Sequence, residues 1–141
     1  MILNLDSVIA VKTTLSVVQD GLNTLRELSL NTNFKDVVER KIFFDYVIEI
    51  KKHYRTMEGI LSNKKMPLAR PNGMKVSIAK TIYPKQIEGW VVKIQKNMDE
   101  LVKDPNISIL KKQYVYLDIL TKVLNGDAYF VGCQQPDLMA A

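Results

Sequence analysis

Apolar residues recur along this chain with the period of an α-helix, except in a segment near its middle. In residues 8–25, a valine or a leucine recurs at spacings that alternate between three and four residues. This heptad-like spacing predicts a helix packed nearly parallel or antiparallel to its neighbours. A turn at Asn31, Thr32 and Asn33 follows, and a second helical pattern runs over residues 34–61. Asp36 is expected in the first turn of that second helix.

Two further helical patterns occupy the second half of the chain. Pro84 suits the first turn of a third helix, whose apolar positions continue to Leu101. Asp104 is the expected N-cap of a fourth helix, and Gly126 is its expected C-terminal stop. The spacing therefore predicts an all-α, four-helix antiparallel bundle formed by residues 1–126.

Residues 63–83 have a different pattern. Two prolines and a glycine rule out a continuous helix there, and apolar residues alternate with polar ones over residues 74–82. These features predict a short, basic β-hairpin-like insertion between helices two and three. The last segment, residues 127–141, is expected to form a separate C-terminal tail.

The second and fourth helices carry more apolar surface than one seam requires. Tyr114 and Tyr116 are not expected to face the same core, because two residues turn a helix by about 200°. Either a protein interface or tight packing within the bundle would cover the additional side chains. Four residues lie off the main seam of the second helix: Val38, Ile42, Phe44 and Ile48. We predict a protein interface that includes Phe44, Ile48, Tyr116, Tyr129 and Phe130.

Positive charge is concentrated in residues 51–85, which hold nine lysines or arginines and one acid, in a chain of net charge +5. A basic segment on a near-neutral scaffold predicts an electropositive surface that faces an anion. Nucleic-acid phosphates and an acidic protein surface both remain open as its partner. The predicted anion-binding residues are Lys51, Lys52, Arg55, Lys64, Lys65, Arg70, Lys75 and Lys80.

Candidate catalytic and metal-binding groups are few. Asp45, Glu49 and His53 lie along one edge of the second helix, but neighbouring lysines are placed to pair with these acids. The single histidine and the single cysteine, Cys133, form no recognisable nucleophilic motif, and phosphate-binding glycine loops are absent from the sequence. We therefore predict a non-enzymatic protein with no metal, no cofactor and no small-molecule substrate.

The composition is that of one globular domain, with 47% hydrophobic and 25% charged residues. The chain contains no apolar run long enough to span a bilayer, and its first residues lack the basic start of a secretory signal. With one cysteine, these features predict a cytoplasmic protein with no membrane partner, or one of the host cytoplasm or virion if the protein is viral.

Taken together, the sequence predicts an assembly or adaptor protein. Such a protein would form a homo-oligomer or dock in a larger complex through apolar helix faces, and its basic edge would contact an anionic partner. In size, charge and class the chain resembles accessory subunits of nucleoprotein complexes and small viral assembly proteins, although no motif identifies a family. The alternative is a sequence-nonspecific nucleic-acid-binding protein that uses residues 51–85.

Overall fold

The chain is all-α in the part described by a computed structural model, residues 5–62 and 82–126. No strand occurs within these two ranges, so the predicted all-α class is confirmed. Most of the predicted hairpin at residues 63–83, and the whole predicted tail at 127–141, lie outside the described residues. The five helices are α1 (Leu5–Asn31), α2 (Val37–Leu61), α3 (Pro84–Lys96), α4 (Met98–Lys103) and α5 (Ile107–Asn125).

Helices α2 and α5 pack against each other and run antiparallel. Near the start of α2, the Arg40 Nε donates a hydrogen bond of 2.7 Å to the carbonyl oxygen of Leu124, near the end of α5. Near the end of α2, the Tyr54 hydroxyl lies 2.8 Å from the Oε1 of Gln113, in the first half of α5. The two contacts fix both the direction and the register of this helix pair.

Helix α1 packs on α2 and on α3. A short connection joins α1 to α2, as in an antiparallel helical hairpin. Helix α3 also runs antiparallel to α1, because Arg26 contacts Glu88 while Asn23, earlier in α1, contacts Gln95, later in α3. None of the described helices has an apolar stretch long enough to cross a membrane.

The core is formed by the apolar seams that the sequence pattern predicts. Each helix turns one such seam inward, and the seams of α1, α2, α3 and α5 belong to a single cluster of buried side chains. Burial of these side chains is the main favourable contribution to folding. Among the most deeply buried members are Val18, Leu22 and Leu25 of α1, Val47 and Met57 of α2, Val91 and Ile94 of α3, and Leu117 and Leu120 of α5.

Polar side chains mark where α2 and α5 begin. Asp36 is the N-cap of α2, one residue before its first turn, and its Oδ1 accepts hydrogen bonds from the backbone of Val38 and Glu39. Asn106, rather than the predicted Asp104, is the N-cap of α5. These side chains satisfy backbone N–H groups that have no partner within their own helix.

Asp104 nevertheless supports the cap of α5. Its Oδ2 accepts a hydrogen bond of 3.1 Å from the Nδ2 of Asn106, whose Oδ1 accepts one of 3.0 Å from the backbone of Ile109. Helix α5 ends at Gly126, as predicted. The φ angle of Gly126 is 83°, in the left-handed region that suits glycine.

The predicted third helix is divided in two at Asn97. The Asn97 carbonyl oxygen, at the junction of α3 and α4, accepts a hydrogen bond of 2.7 Å from the Nε2 of Gln113. The Oε1 of the same Gln113 accepts the hydrogen bond from Tyr54. Gln113 and Tyr54 are both buried. One buried amide therefore joins α2, α5 and the α3–α4 junction.

Replacing Gln113 with leucine is expected to lower the free energy of unfolding by about 2–3 kcal/mol. The substitution removes the amide partner of the Asn97 carbonyl and of the Tyr54 hydroxyl, which keeps only its 3.4 Å contact with the Met98 sulfur. Loss of a partner for a buried polar group costs about 1–3 kcal/mol. Urea unfolding followed by circular dichroism measures the change. The matched control is Gln19→Leu on the exposed side of α1, which should stay within about 0.5 kcal/mol of the parent. Equal losses in the two variants would contradict the bridging role of Gln113.

Candidate functional site

A groove of about 330 Å³ runs between α1 and α2 on the surface of the protein. Gly21 of α1 forms the floor of the groove. Because glycine has no side chain, the space beside Ile50 of α2 stays open. Its walls are mixed in character, with apolar side chains beside polar and acidic ones. We call this site the α1/α2 groove, and it is lined by Val17, Asp20, Gly21, Thr24, Tyr46, Glu49, Ile50 and His53.

An exposed apolar stripe extends the groove along α2. Val38, Ile42 and Tyr46 are spaced four residues apart, so they lie on one face of the helix. Val38 is 68% exposed and Ile42 is 61% exposed, while Tyr46 is half-buried at the groove. On α1, Val17 is also exposed. The α2 stripe (Val38, Ile42 and Tyr46) and Val17 thus present an apolar surface at the groove, most of which is exposed.

Acidic groups border this apolar surface. The side chain of Asp20 makes no ion pair with any described residue. Glu49 pairs with Lys52, at 2.8 Å between Oε1 and Nζ; the Glu49 side chain is 63% exposed and that of Lys52 is 35% exposed. Exposed pairs of this kind contribute little to stability, so Glu49 is available to another partner at small cost. The groove therefore favours a ligand that is apolar in its centre and basic at its edges.

Metal binding has no geometric support at this site. Within the described ranges, no group of three or more histidine, cysteine, aspartate or glutamate side chains is placed to hold a metal ion. Glu49 and His53 both line the groove, but Asp45, one turn before Glu49, forms an ion pair of 2.9 Å with Lys41.

Lys51, predicted to contact an external anion, is a buried internal residue. It is 6% exposed, and its Nζ lies 3.2 Å from the Oδ1 of Asp118 and 3.3 Å from the Oγ1 of Thr121 on α5. The expectation of exposure was wrong because its carboxylate partner is 67 positions away in the sequence. A buried lysine requires such a partner, since an isolated charge in the core is very costly.

Arg55 also interacts within the protein. Its Nε donates a hydrogen bond of 3.1 Å to the Tyr114 hydroxyl, and its guanidinium lies 4.7 Å from the centre of the Tyr114 ring. It makes a further ion pair of 3.6 Å with Glu58. Lys52, by contrast, is at the surface with Glu49. The other predicted anion contacts, Lys64, Lys65, Arg70, Lys75 and Lys80, lie outside the described residues.

The predicted interface residues Phe44 and Ile48 are in the core rather than at the surface. Phe44 is 2% exposed and Ile48 is 6% exposed. They share a helix face with Lys51 and Arg55, the two residues that reach α5, at successive spacings of four, three and four. Packing of α5 against this side of α2 explains their burial, and it corrects the expectation that they are exposed.

Tyr116 is half-buried against α3 rather than open to a partner. Its ring packs edge-to-face on Trp90, with 5.6 Å between ring centres, and its carbonyl oxygen accepts a hydrogen bond of 2.7 Å from the Trp90 Nε1. Tyr114 faces α2 instead. The two tyrosines point in different directions because α5 packs on two helices. The last two predicted interface residues, Tyr129 and Phe130, lie outside the described part of the chain.

Sequence reasoning noted Val38 and Ile42 off the main seam of α2 but did not assign them to the surface. The signal was present, because Val38 and Ile42 point in a different direction from Phe44 and Ile48, by about a third of a turn on average. The positions of α1 and α5 decide which of the two pairs is covered. No family model, curated protein or solved structure matches the chain.

The ion pair between Lys51 and Asp118 is sensitive to acid. Partial burial acts to raise the pKa of the Asp118 carboxyl, but the charges and hydrogen bonds of Lys51 and Lys122 outweigh it and lower that pKa below its ordinary value. A folded-state pKa that is lowered stabilises the protein above the pKa of the unfolded chain. That contribution disappears as the pH falls through the folded-state pKa.

We expect Asp118→Asn to weaken the acid dependence of stability below about pH 4, the ordinary pKa range of aspartate. The variant should also be less stable than the parent at neutral pH, because Lys51 loses its carboxylate while remaining buried. Urea unfolding measured over a series of pH values tests both effects. Asp45→Asn, which removes an exposed ion pair with Lys41, is the control and should change little. Parallel pH profiles for the parent and Asp118→Asn would contradict the assignment.

Proposed function

We propose that this chain is a non-enzymatic assembly or adaptor module that binds a partner helix in the α1/α2 groove. Its scaffold is a four-helix antiparallel bundle in which α3 and α4 together form one arm. The supporting observation is the exposed apolar surface formed by the α2 stripe and Val17. Exposed apolar side chains grouped at a surface groove are a characteristic mark of an interaction site.

Gly21 gives independent support to the groove as a binding surface. A glycine within a helix is about 1 kcal/mol less favourable than alanine. Packing does not require it here, since an added Cβ would lie 3.4 Å from the Ile50 Cγ1 and 3.6 Å from its Cδ1, in ordinary van der Waals contact. The glycine keeps the groove open at a cost in helix stability, which is consistent with a role in binding.

The shape and chemistry of the groove favour a helical ligand. An amphipathic helix places apolar residues at intervals of three and four, and these match a groove between two helices. Because Asp20 and Glu49 border the apolar surface, a helix with basic flanking residues is electrostatically complementary to it. The proposed partner surface is therefore helical, apolar along its centre and basic at its edges.

Ile42→Glu is expected to weaken association at least tenfold, because it places a charge in the centre of the apolar stripe. Two readouts apply: the concentration dependence of the sedimentation coefficient, and fluorescence anisotropy with a labelled amphipathic peptide built from leucine and lysine. The matched control is Val102→Glu, at an exposed valine on α4 away from the groove. If Ile42→Glu and Val102→Glu behave alike in both assays, the groove is not the binding surface.

Gly21→Ala separates binding from folding in the same assays. It should raise the free energy of unfolding by up to about 1 kcal/mol through helix propensity, while the added methyl group narrows the groove and weakens association. A variant that is more stable but binds less tightly cannot be explained by partial unfolding. If this variant binds as tightly as the parent and Ile42→Glu does too, the proposal is overturned.

Sequence-nonspecific nucleic-acid binding is the second candidate, and it rests on residues 63–81. This segment holds five lysines or arginines and no acid. The described residues, 5–62 and 82–126, are close to neutral by comparison, with fifteen lysines and arginines against thirteen acids. Because Lys51 and Arg55 have partners within the protein, phosphate contacts would fall mainly to Lys64, Lys65 and Arg70.

Anisotropy of labelled single- and double-stranded oligonucleotides at several salt concentrations tests this second candidate. Phosphate neutralisation predicts affinity that falls steeply with salt, and a smaller salt dependence for the triple variant Lys64→Glu, Lys65→Glu and Arg70→Glu. The control, Lys12→Glu with Lys35→Glu, removes exposed lysines at other places. An absence of binding at low salt, or equal losses in the two variants, would exclude residues 63–81 as a nucleic-acid site.

A further inference from the structure

The outer face of α5 has the chemistry that the α1/α2 groove favours. Val115 is 53% exposed at the centre of this face, and Ile119 lies one turn further on, half-buried. Lys111 and Lys112 precede Val115 by one turn, and both are exposed. Neither lysine forms an ion pair with a carboxylate in the described part of the chain. We call this surface the α5 outer face.

Lys122 extends the basic character of this face towards the end of α5. It also lies on the outer side of the helix, although it pairs with Asp118 at 3.3 Å. Basic residues thus border Val115 and Ile119 on both sides along the helix axis. The arrangement is the reverse of the α1/α2 groove, where acids border the apolar surface.

Charge decides between two surfaces of a second copy that could cover the groove, namely its own groove and its α5 outer face. If two grooves faced each other, Asp20 and Glu49 of one copy would approach the same acids of the other, and like charges in an interface are unfavourable. If the groove instead faced the α5 outer face, acids would meet Lys111 and Lys112. Apolar surface would meet apolar surface in both cases, so electrostatics favours the second arrangement.

We propose that the α1/α2 groove of one copy binds the α5 outer face of a second copy, in a head-to-tail contact. This inference rests on the proposed function and names the partner helix as α5 of the same protein. The two surfaces share no residue, because no side chain of α5 lines the groove. After a single contact, one copy therefore still has a free α5 outer face and the other still has a free groove.

A head-to-tail contact has a consequence that a two-fold contact lacks. Repetition of the same contact adds further copies, and the assembly grows until the geometry closes it into a ring. The sedimentation profile of the wild-type chain should accordingly show species larger than a dimer as the concentration rises. Raising the salt concentration should shift the profile towards the monomer, since exposed charges are screened.

Two charge-reversed variants test the contact. The groove variant carries Asp20→Lys and Glu49→Lys, and the α5 variant carries Lys111→Glu and Lys112→Glu. In each variant alone, groove and α5 outer face have the same sign of charge, so each should remain monomeric. In an equimolar mixture, the basic groove of the groove variant can bind the acidic α5 outer face of the α5 variant. The unchanged groove of the α5 variant can likewise bind the unchanged α5 outer face of the groove variant. The mixture should therefore regain the association of the wild type.

Sedimentation velocity provides the readout, with urea unfolding to show that both variants are folded. The control pair is Lys12→Glu with Lys35→Glu, which reverses exposed lysines outside the α5 outer face and should leave association unchanged. Recovery in the mixture supports the head-to-tail contact, because neither misfolding nor a change in net charge restores association on mixing. Association of either variant alone at wild-type strength would overturn it.

The remaining outcomes separate this inference from the proposed function. A wild-type chain that stays monomeric at every concentration overturns the head-to-tail contact, as does a mixture that fails to associate. The proposed function survives either result if the basic amphipathic peptide still binds the parent and not Ile42→Glu. If that peptide binding also fails, the groove has no binding role and both proposals are wrong.

Discussion

The buried Gln113 amide is the interaction on which the arrangement of the helices most depends. It accepts from Tyr54 on α2 and donates to the Asn97 carbonyl, where α3 ends and α4 begins. Apolar seams alone permit helices to slide by a turn, because their contacts are non-directional. A hydrogen-bonded side chain with no access to water permits one register only, since any slip leaves polar groups unsatisfied. The direction of α5 and the division of the third helix follow from this constraint.

The register of α2 and α5 determines what remains on the surface. Once Gln113 is opposite Tyr54, Lys51 is opposite Asp118 and Arg40 reaches the last carbonyls of α5. The side of α2 that carries these residues is then fully used by packing. The side that carries Val38 and Ile42 is left without a partner among the described residues, and it borders the groove formed with α1. The candidate site is thus a consequence of how α5 is held, although α5 takes no part in the groove itself.

Periodicity predicted most of the fold because burial imposes it directly on the sequence. The seam of α1 and the stop at Gly126 depend on local spacing and local backbone conformation, and both are as expected. The break at Asn97 was not predictable in this way, because no proline or glycine marks it. Its carbonyl is satisfied by a side chain 16 positions further on. The sequence around Asn97 therefore does not indicate this contact.

The same limit explains the errors at the candidate site. Phe44 and Ile48 differ from Val38 and Ile42 only in the direction that they face, and direction has meaning only once the neighbouring helices are placed. Lys51 was assigned to the surface on its charge, whereas its partner Asp118 belongs to a distant part of the chain. Sequence therefore located the excess apolar surface on α2 correctly but not the side on which it remains exposed.

Part of the positive net charge belongs to residues that join α2 to α5. Arg40, Lys51 and Arg55 all extend from α2 to groups on α5, and Arg40 is buried where it donates to the C-terminal carbonyls of that helix. A cation at the negative end of a helix dipole stabilises the helix. These three cations therefore hold the scaffold together rather than facing a partner, so the net charge of +5 does not describe one continuous basic surface.

Other basic residues take no part in the α2–α5 contact. In sequence, residues 63–81 hold five cations and no acid, and on α5 the exposed Lys111 and Lys112 belong to the outer face. The acids Asp20 and Glu49 line the α1/α2 groove, beside apolar side chains. A protein that only bound polyanions would not need an apolar groove bordered by acids, nor an α5 outer face of the opposite charge. The opposite charge of the groove and the α5 outer face is the observation that supports the proposed assembly role.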